Sequence, residues 1–130
     1  MNRIIAEEGF DPPLDFEEAR QGVQEIIGIG VKMGEGWLLT AEMLSLIKDG
    51  VNNIICTQPF GCLPNHIVGK GMMKIVREKH PGVNLVAIDY DPGASRINQE
   101  NRLKLMLANA NRTLREEKEQ QESSPAPAEI

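Results

Sequence analysis

Aromatic residues are scarce in this chain: one Trp, one Tyr and three Phe make up 4% of its 130 residues. Its core must therefore come from Ile, Leu, Val and Met. Basic charge is also in short supply. Fourteen Lys and Arg against nineteen Asp and Glu leave a formal net charge of −5, which argues against nucleic acid, a ligand that selects basic surfaces. No apolar run approaches the roughly 20 residues needed to span a bilayer. The first residues, Met1 to Phe10, lack the basic start and apolar middle of a secretory signal. Only two cysteines are present, and without an export signal they read as reduced thiols rather than a disulfide. Together these absences predict a cytoplasmic protein with no membrane contact and, at this length, a single domain.

What is present divides into three parts. Residues 1–13 read as an irregular segment broken by Gly9 and Pro12-Pro13, 14–115 as an α/β domain, and 116–130 as a disordered acidic and Pro-Ser tail. Asp15 is placed as a helix N-cap with Glu17 and Glu18 favoured in the first turn, and that helix is expected to reach about Ile27. A second helix fits Gly36 to Asp49, with Trp37, Ala41, Leu44 and Ile47 on one face and Gly50 at its stop. Asn53–Thr57 is a buried strand. Pro64 suits the first turn of a helix through Lys79, with Val68, Met72, Ile75 and Val76 as its buried stripe. Gly69 and Gly71 weaken the start of that helix. Val83–Asp89 is a second strand, and a long helix follows from about Ser95 with Leu103, Met106, Leu107, Ala110 and Leu114 on one face.

This order predicts a Rossmann-like βαβ fragment with parallel strands. Two strands are too few for a stable sheet, so the sheet is expected to be incomplete and to lean on a partner.

Several near-motifs fail their context. Gly28-Ile29-Gly30-Val31-Lys32-Met33-Gly34 follows a helix rather than a strand and spaces its third glycine one residue late, so it reads as an interhelix loop. Gly69-Lys70 lacks the upstream glycine and the Ser or Thr of a phosphate loop, and Lys70, Lys74 and Arg77 read as a solvated basic face. Asp89 and Asp91 stand where an acidic strand end grips a ribose in other folds; without a glycine-rich first strand they read as turn and cap residues. No nucleophile elbow is present.

The loop Cys56-Thr57-Gln58-Pro59-Phe60-Gly61-Cys62-Leu63-Pro64-Asn65-His66 is the richest in chemistry. It gathers both cysteines and one of two histidines at the carboxyl end of a strand, where open α/β sheets place ligands. Thiolates prefer softer metals such as iron and zinc, but Cys-x5-Cys alone cannot close a four-ligand site. Cys56 lies within the strand and reads as a buried structural thiol. Cys62, flanked by Gly61 and Pro64, is the candidate metal ligand, with His66 four residues on.

The runs GEGWLLTAEM (34–43), NNIICTQPFGCLPNHIVGKGMMK (52–74) and VAIDYDPGASRINQENRLKLML (86–107) resemble the C-terminal part of 2-hydroxyacyl-CoA dehydratase-related proteins. The likeness is strongest to the large activase-related members, and it covers Gly34 to Ala108. It implies Rossmann-like α/β domains that share a [4Fe-4S] cluster, and an activase that injects one electron so that water leaves a 2-hydroxyacyl-CoA through a ketyl radical. On that resemblance Cys62 matches a cluster cysteine and Cys56 is a weaker match. The implied partners are other domains or subunits of a dehydratase–activase system, with an acyl-CoA substrate and a homo-oligomer as further expectations. The chain carries no activase ATP site and no further cysteines. The resemblance thus implies a terminal, non-autonomous domain of a lyase system. The alternative is a non-catalytic docking or scaffold domain.

Overall fold

The computed structural model describes residues 2–10, 12 and 15–123. It is mixed α/β, with a two-stranded parallel sheet and flanking helices. A short helix α1 (Asn2–Glu7) forms where the sequence suggests irregular chain. Helix α2 (Phe16–Val23) starts at Asp15, whose Oδ1 accepts from the Glu17 and Glu18 amides at 2.9 and 3.3 Å. It stops at Val23, four residues short of the expected Ile27. Both the Ile26 and the Ile27 amides turn back to the Val23 carbonyl, and the β-branched pair followed by Gly28 disfavours further helix.

Helix α3 spans Leu38–Lys48. Its onset falls two residues after the expected Gly36 because Gly36 has φ +54°, and a Cβ there would stand 2.2 Å from the Val31 carbonyl oxygen. Its end is a Schellman turn. The Val51 amide bonds Leu46 O at 2.8 Å and the Gly50 amide bonds Ile47 O at 3.0 Å, with Gly50 at φ +84°, the left-handed conformation this cap requires. Ala19, Val23, Trp37 and Ala41 form one apolar cluster between α2 and α3, with the Phe16 ring tilted on Trp37 at 5.5 Å between centroids.

Strands β1 (Asn53–Gln58) and β2 (Asn84–Asp89) pair in parallel, Asn53 opposite Asn84 and Gln58 opposite Asp89. Side chains alternate across the sheet. One face carries Ile54, Cys56 and Gln58 beside Leu85, Ala87 and Asp89. That face meets α3 and α4 in the main core, where Met43, Ile54, Met73, Val76, Val83, Leu85 and Ala87 are buried together.

The expected single helix from Pro64 to Lys79 is three pieces: a π-helical turn (Asn65–Gly69), a 3-10 turn (Lys70–Met72) and helix α4 (Met73–Lys79). The change of register rearranges the predicted stripe. Val68 and Val76 are fully buried, but Met73 replaces Ile75, which is 36% exposed.

Helix α5 (Arg96–Ser123) follows β2 and packs on it. It continues as helix through 116–123, the stretch read from sequence as tail. Glu, Lys and Gln are good helix formers, and i,i+4 ion pairs such as Arg112–Glu116 support it; residues 124–130 lie outside the described ones. Of its predicted stripe only Met106 is buried. Leu103 and Ala110 are half-buried, while Leu107 and Leu114 are exposed. No helix among the described residues is long and apolar enough to cross a membrane.

Candidate functional site

The site grows from the end of β1. Cys56 points into the core from the strand. Gln58, two residues on, is 2% exposed and donates through Nε2 to Asp89 Oδ1 at 2.6 Å, tying the two strand ends together. Its Oε1 is buried and has no hydrogen-bond partner among the described residues. The chain then turns. Gly61 takes φ +72°, and the Cys62 amide returns to Pro59 O at 3.3 Å. The Cys62 carbonyl accepts the His66 amide at 3.0 Å and lies 2.9 Å from His66 Nδ1. His66 is thus fastened to the backbone of Cys62, not to its sulfur.

Asn65 is the hinge of the arrangement. It is buried, and its Nδ2 donates to Cys62 Sγ at 3.1 Å while Oδ1 faces the Cys56 thiol at 4.0 Å. One amide therefore addresses both sulfurs, donating to one and accepting from the other. The π-helical turn that carries Asn65 presses close to Cys56. A Cβ on Gly69 would stand 3.3 Å from Cys56 Sγ and 3.7 Å from Asn65 Oδ1. The turn is held from the other side by Thr40, fully buried on α3, whose hydroxyl donates to the Val68 carbonyl.

The two thiols differ in character. Burial pushes the Cys56 pKa up from its usual value, with a smaller push from the Glu42 carboxylate. Cys56 is partly buried against the core, and the raised pKa makes its thiolate less accessible than that of an ordinary cysteine. Cys62 is half-buried in the loop. In the same loop Phe60 is 76% exposed and Leu63 52%.

A [4Fe-4S] cluster needs four ligands. Among the described residues no group of three or more His, Cys, Asp or Glu could hold a metal ion. The donor set therefore does not fit a cluster held by this chain alone; it offers one thiol in the loop and a second, partly buried one in the strand.

The other candidates separate by environment. Asp91 is a turn residue, its Oδ2 accepting from the Gly93 amide at 3.1 Å. Lys70 lies in the 3-10 turn and the 28–34 glycines in the loop between α2 and α3. Asp89 borders a groove of about 880 Å³ between β2 and the start of α5, also lined by Ile88, Asp91, Ser95, Asn98 and Met106. Sequence reasoning did not anticipate this groove or the role of Asn65. An asparagine matches no metal-ligand pattern, and its burial between two thiols is decided by tertiary contacts. No protein-family model, curated protein or solved structure matches the chain.

Proposed function

We propose that this chain is a Rossmann-like terminal domain of a cytoplasmic 2-hydroxyacyl-CoA dehydratase-related protein. Its role is to present Cys62 to a [4Fe-4S] cluster whose other ligands come from other segments or subunits of a dehydratase–activase assembly. The carrying observation is the position of Cys62: half-buried in the loop that follows β1, its sulfur hydrogen-bonded by the Asn65 amide, in a loop that also exposes Phe60 and Leu63. When bound, such a cluster supplies one-electron transfer to the dehydration of an acyl-CoA. In this role Asn65 orients the sulfur, because hydrogen bonds to ligating sulfur tune a cluster's potential. Phe60 and Leu63 await cover that would exclude water. Cys56, partly buried on the strand, is the weaker candidate for the same cluster.

A second reading, a non-catalytic docking domain of the same assembly, draws support from the two-stranded sheet and from the missing ligands. Anaerobic reconstitution with iron and sulfide, with a small thiol present to complete the ligand set, separates the two. Charge-transfer absorbance that disappears in Cys62→Ala and survives in Cys56→Ala is the expected result. Folded wild-type protein without absorbance, or absorbance indifferent to Cys62→Ala, overturns the cluster reading.

A further inference from the structure

The two edges of the sheet are treated differently. In the parallel ladder Asn52, Ile54, Cys56 and Gln58 face β2, shown by Asn84 N to Asn52 O and Tyr90 N to Gln58 O, both at 2.7 Å. Leu85, Ala87 and Asp89 consequently turn their carbonyls to the outer edge of β2. Side chains occupy all three: Arg77 bonds Leu85 O, Arg102 bonds Ala87 O at 3.0 Å, and Gln99 bonds Asp89 O at 3.0 Å. That edge is closed to strand addition. On β1 the outward row is Asn53, Ile55 and Thr57. All three are exposed, Ile55 by 41%, and among the described residues no hydrogen bond reaches their outward amides or carbonyls.

We infer that the β1 edge pairs with the β1 edge of a second copy of this chain, antiparallel about a two-fold axis through Ile55. The row is self-complementary in three respects. Its outward residues are spaced so that Ile55 exchanges both main-chain bonds with its own counterpart, while Asn53 exchanges with Thr57 of the second copy. The side chains then match: exposed Ile55 covers Ile55, and polar Asn53 lies beside polar Thr57. The strand Asn53-Ile54-Ile55-Cys56-Thr57-Gln58 also carries no charge and no proline, the usual devices that keep edges apart. An identical, equally uncharged strand meets no like charge there despite the −5 of the whole chain, and a charged strand would find no counter-charge. The product is a continuous four-stranded sheet, β2–β1–β1–β2, which meets the three-strand minimum that each copy alone fails. Its isologous symmetry closes the assembly at two copies. This inference is independent of the iron–sulfur reading.

Because one short strand pair buries little surface, the dimer is expected to be reversible, with a dissociation constant on the order of 10–100 µM. Sedimentation and light scattering of the full chain across that range test it. The mass should rise from monomer to dimer and no further. Ile55→Lys should remain monomeric with an unchanged circular dichroism spectrum. Register is tested by oxidative cross-linking in a Cys56→Ala, Cys62→Ala background. Ile55→Cys should cross-link to itself, whereas Asn53→Cys should cross-link only when mixed with Thr57→Cys. A monomer at every concentration, a dimer that survives Ile55→Lys, or cross-links insensitive to position would each overturn the proposal.

Discussion

Thr40→Val is the substitution that most sharply tests how the cysteine loop is held. Thr40 is fully buried on α3, and its hydroxyl donates to the carbonyl of Val68, immediately before Gly69. Gly69 breaks the helical register there, with φ −92° and ψ −90°. Valine matches threonine in shape and helix propensity, so the substitution removes the donor and little else. Leaving the buried Val68 carbonyl without it costs about 1–3 kcal/mol. For a chain of this size about 1 kcal/mol corresponds to about 4 °C, so Tm should fall by about 4–12 °C. Thr40→Ser keeps the hydroxyl and loses a buried methyl, worth about 1 kcal/mol. Thermal and urea unfolding of the three proteins should therefore rank wild type above Ser and Ser above Val. The Val variant should also show faster alkylation of Cys62, because the loosened π-helical turn carries the Asn65 that bonds its sulfur. A Val variant as stable as wild type, or more stable than Ser, would mean that packing and not the Thr40–Val68 bond holds α3 to this turn.

Two more outcomes follow from the same geometry. Cys56 has its pKa raised in the folded chain from a usual value of 9.0; its contribution to stability is complete below that value and is lost as pH rises through the folded one. The unfolding midpoint should accordingly drop on the alkaline side of pH 9 and drop less in Cys56→Ala, and at neutral pH iodoacetamide should label Cys62 before Cys56. Gly36→Ala forces a left-handed residue to carry a Cβ 2.2 Å from Val31 O. It should destabilise by about 2 kcal/mol or more in urea titrations, whereas alanine at exposed Gly22, inside α2 and with open space around it, should be neutral or stabilising.

The parts of the fold legible in the sequence are those set by local chemistry. Asp15 caps α2 because a short acceptor precedes an acidic first turn. Gly50 ends α3 because the Schellman turn needs a left-handed residue. Both strands announce themselves as apolar runs bounded by turn residues, and the crossover between them makes the pair parallel. The parts that escaped are set by contact at a distance. Gly69 and Gly71 read as weak points of one helix; one instead makes room for Cys56 Sγ and the other avoids the His66 carbonyl, which a Cβ would approach to 2.8 Å. The apolar spacing of α5 suggested a buried stripe, yet a sheet of two six-residue strands cannot cover a helix of 28 residues. Leu107 and Leu114 remain exposed for want of a surface to meet.

The same period of two accounts for the thiol site and for the open edge. Along β1 the even residues Ile54, Cys56 and Gln58 turn inward, and their main chain is consumed by β2; the odd residues Asn53, Ile55 and Thr57 turn outward with free main chain. A shift of one residue in register would exchange the two sets, placing Cys56 in solvent and Ile55 under α3. That slip is opposed at both ends of the ladder, by the Asn84–Asn53 side-chain bond at 2.9 Å and by the Gln58–Asp89 bond at 2.6 Å. The second clamp ties the buried Gln58 at the end of β1 to the end of β2. An amide at position 58 therefore fixes register where leucine or valine would only add burial. The register it fixes keeps Cys56 against Asn65, and Asn65 in turn reaches Cys62.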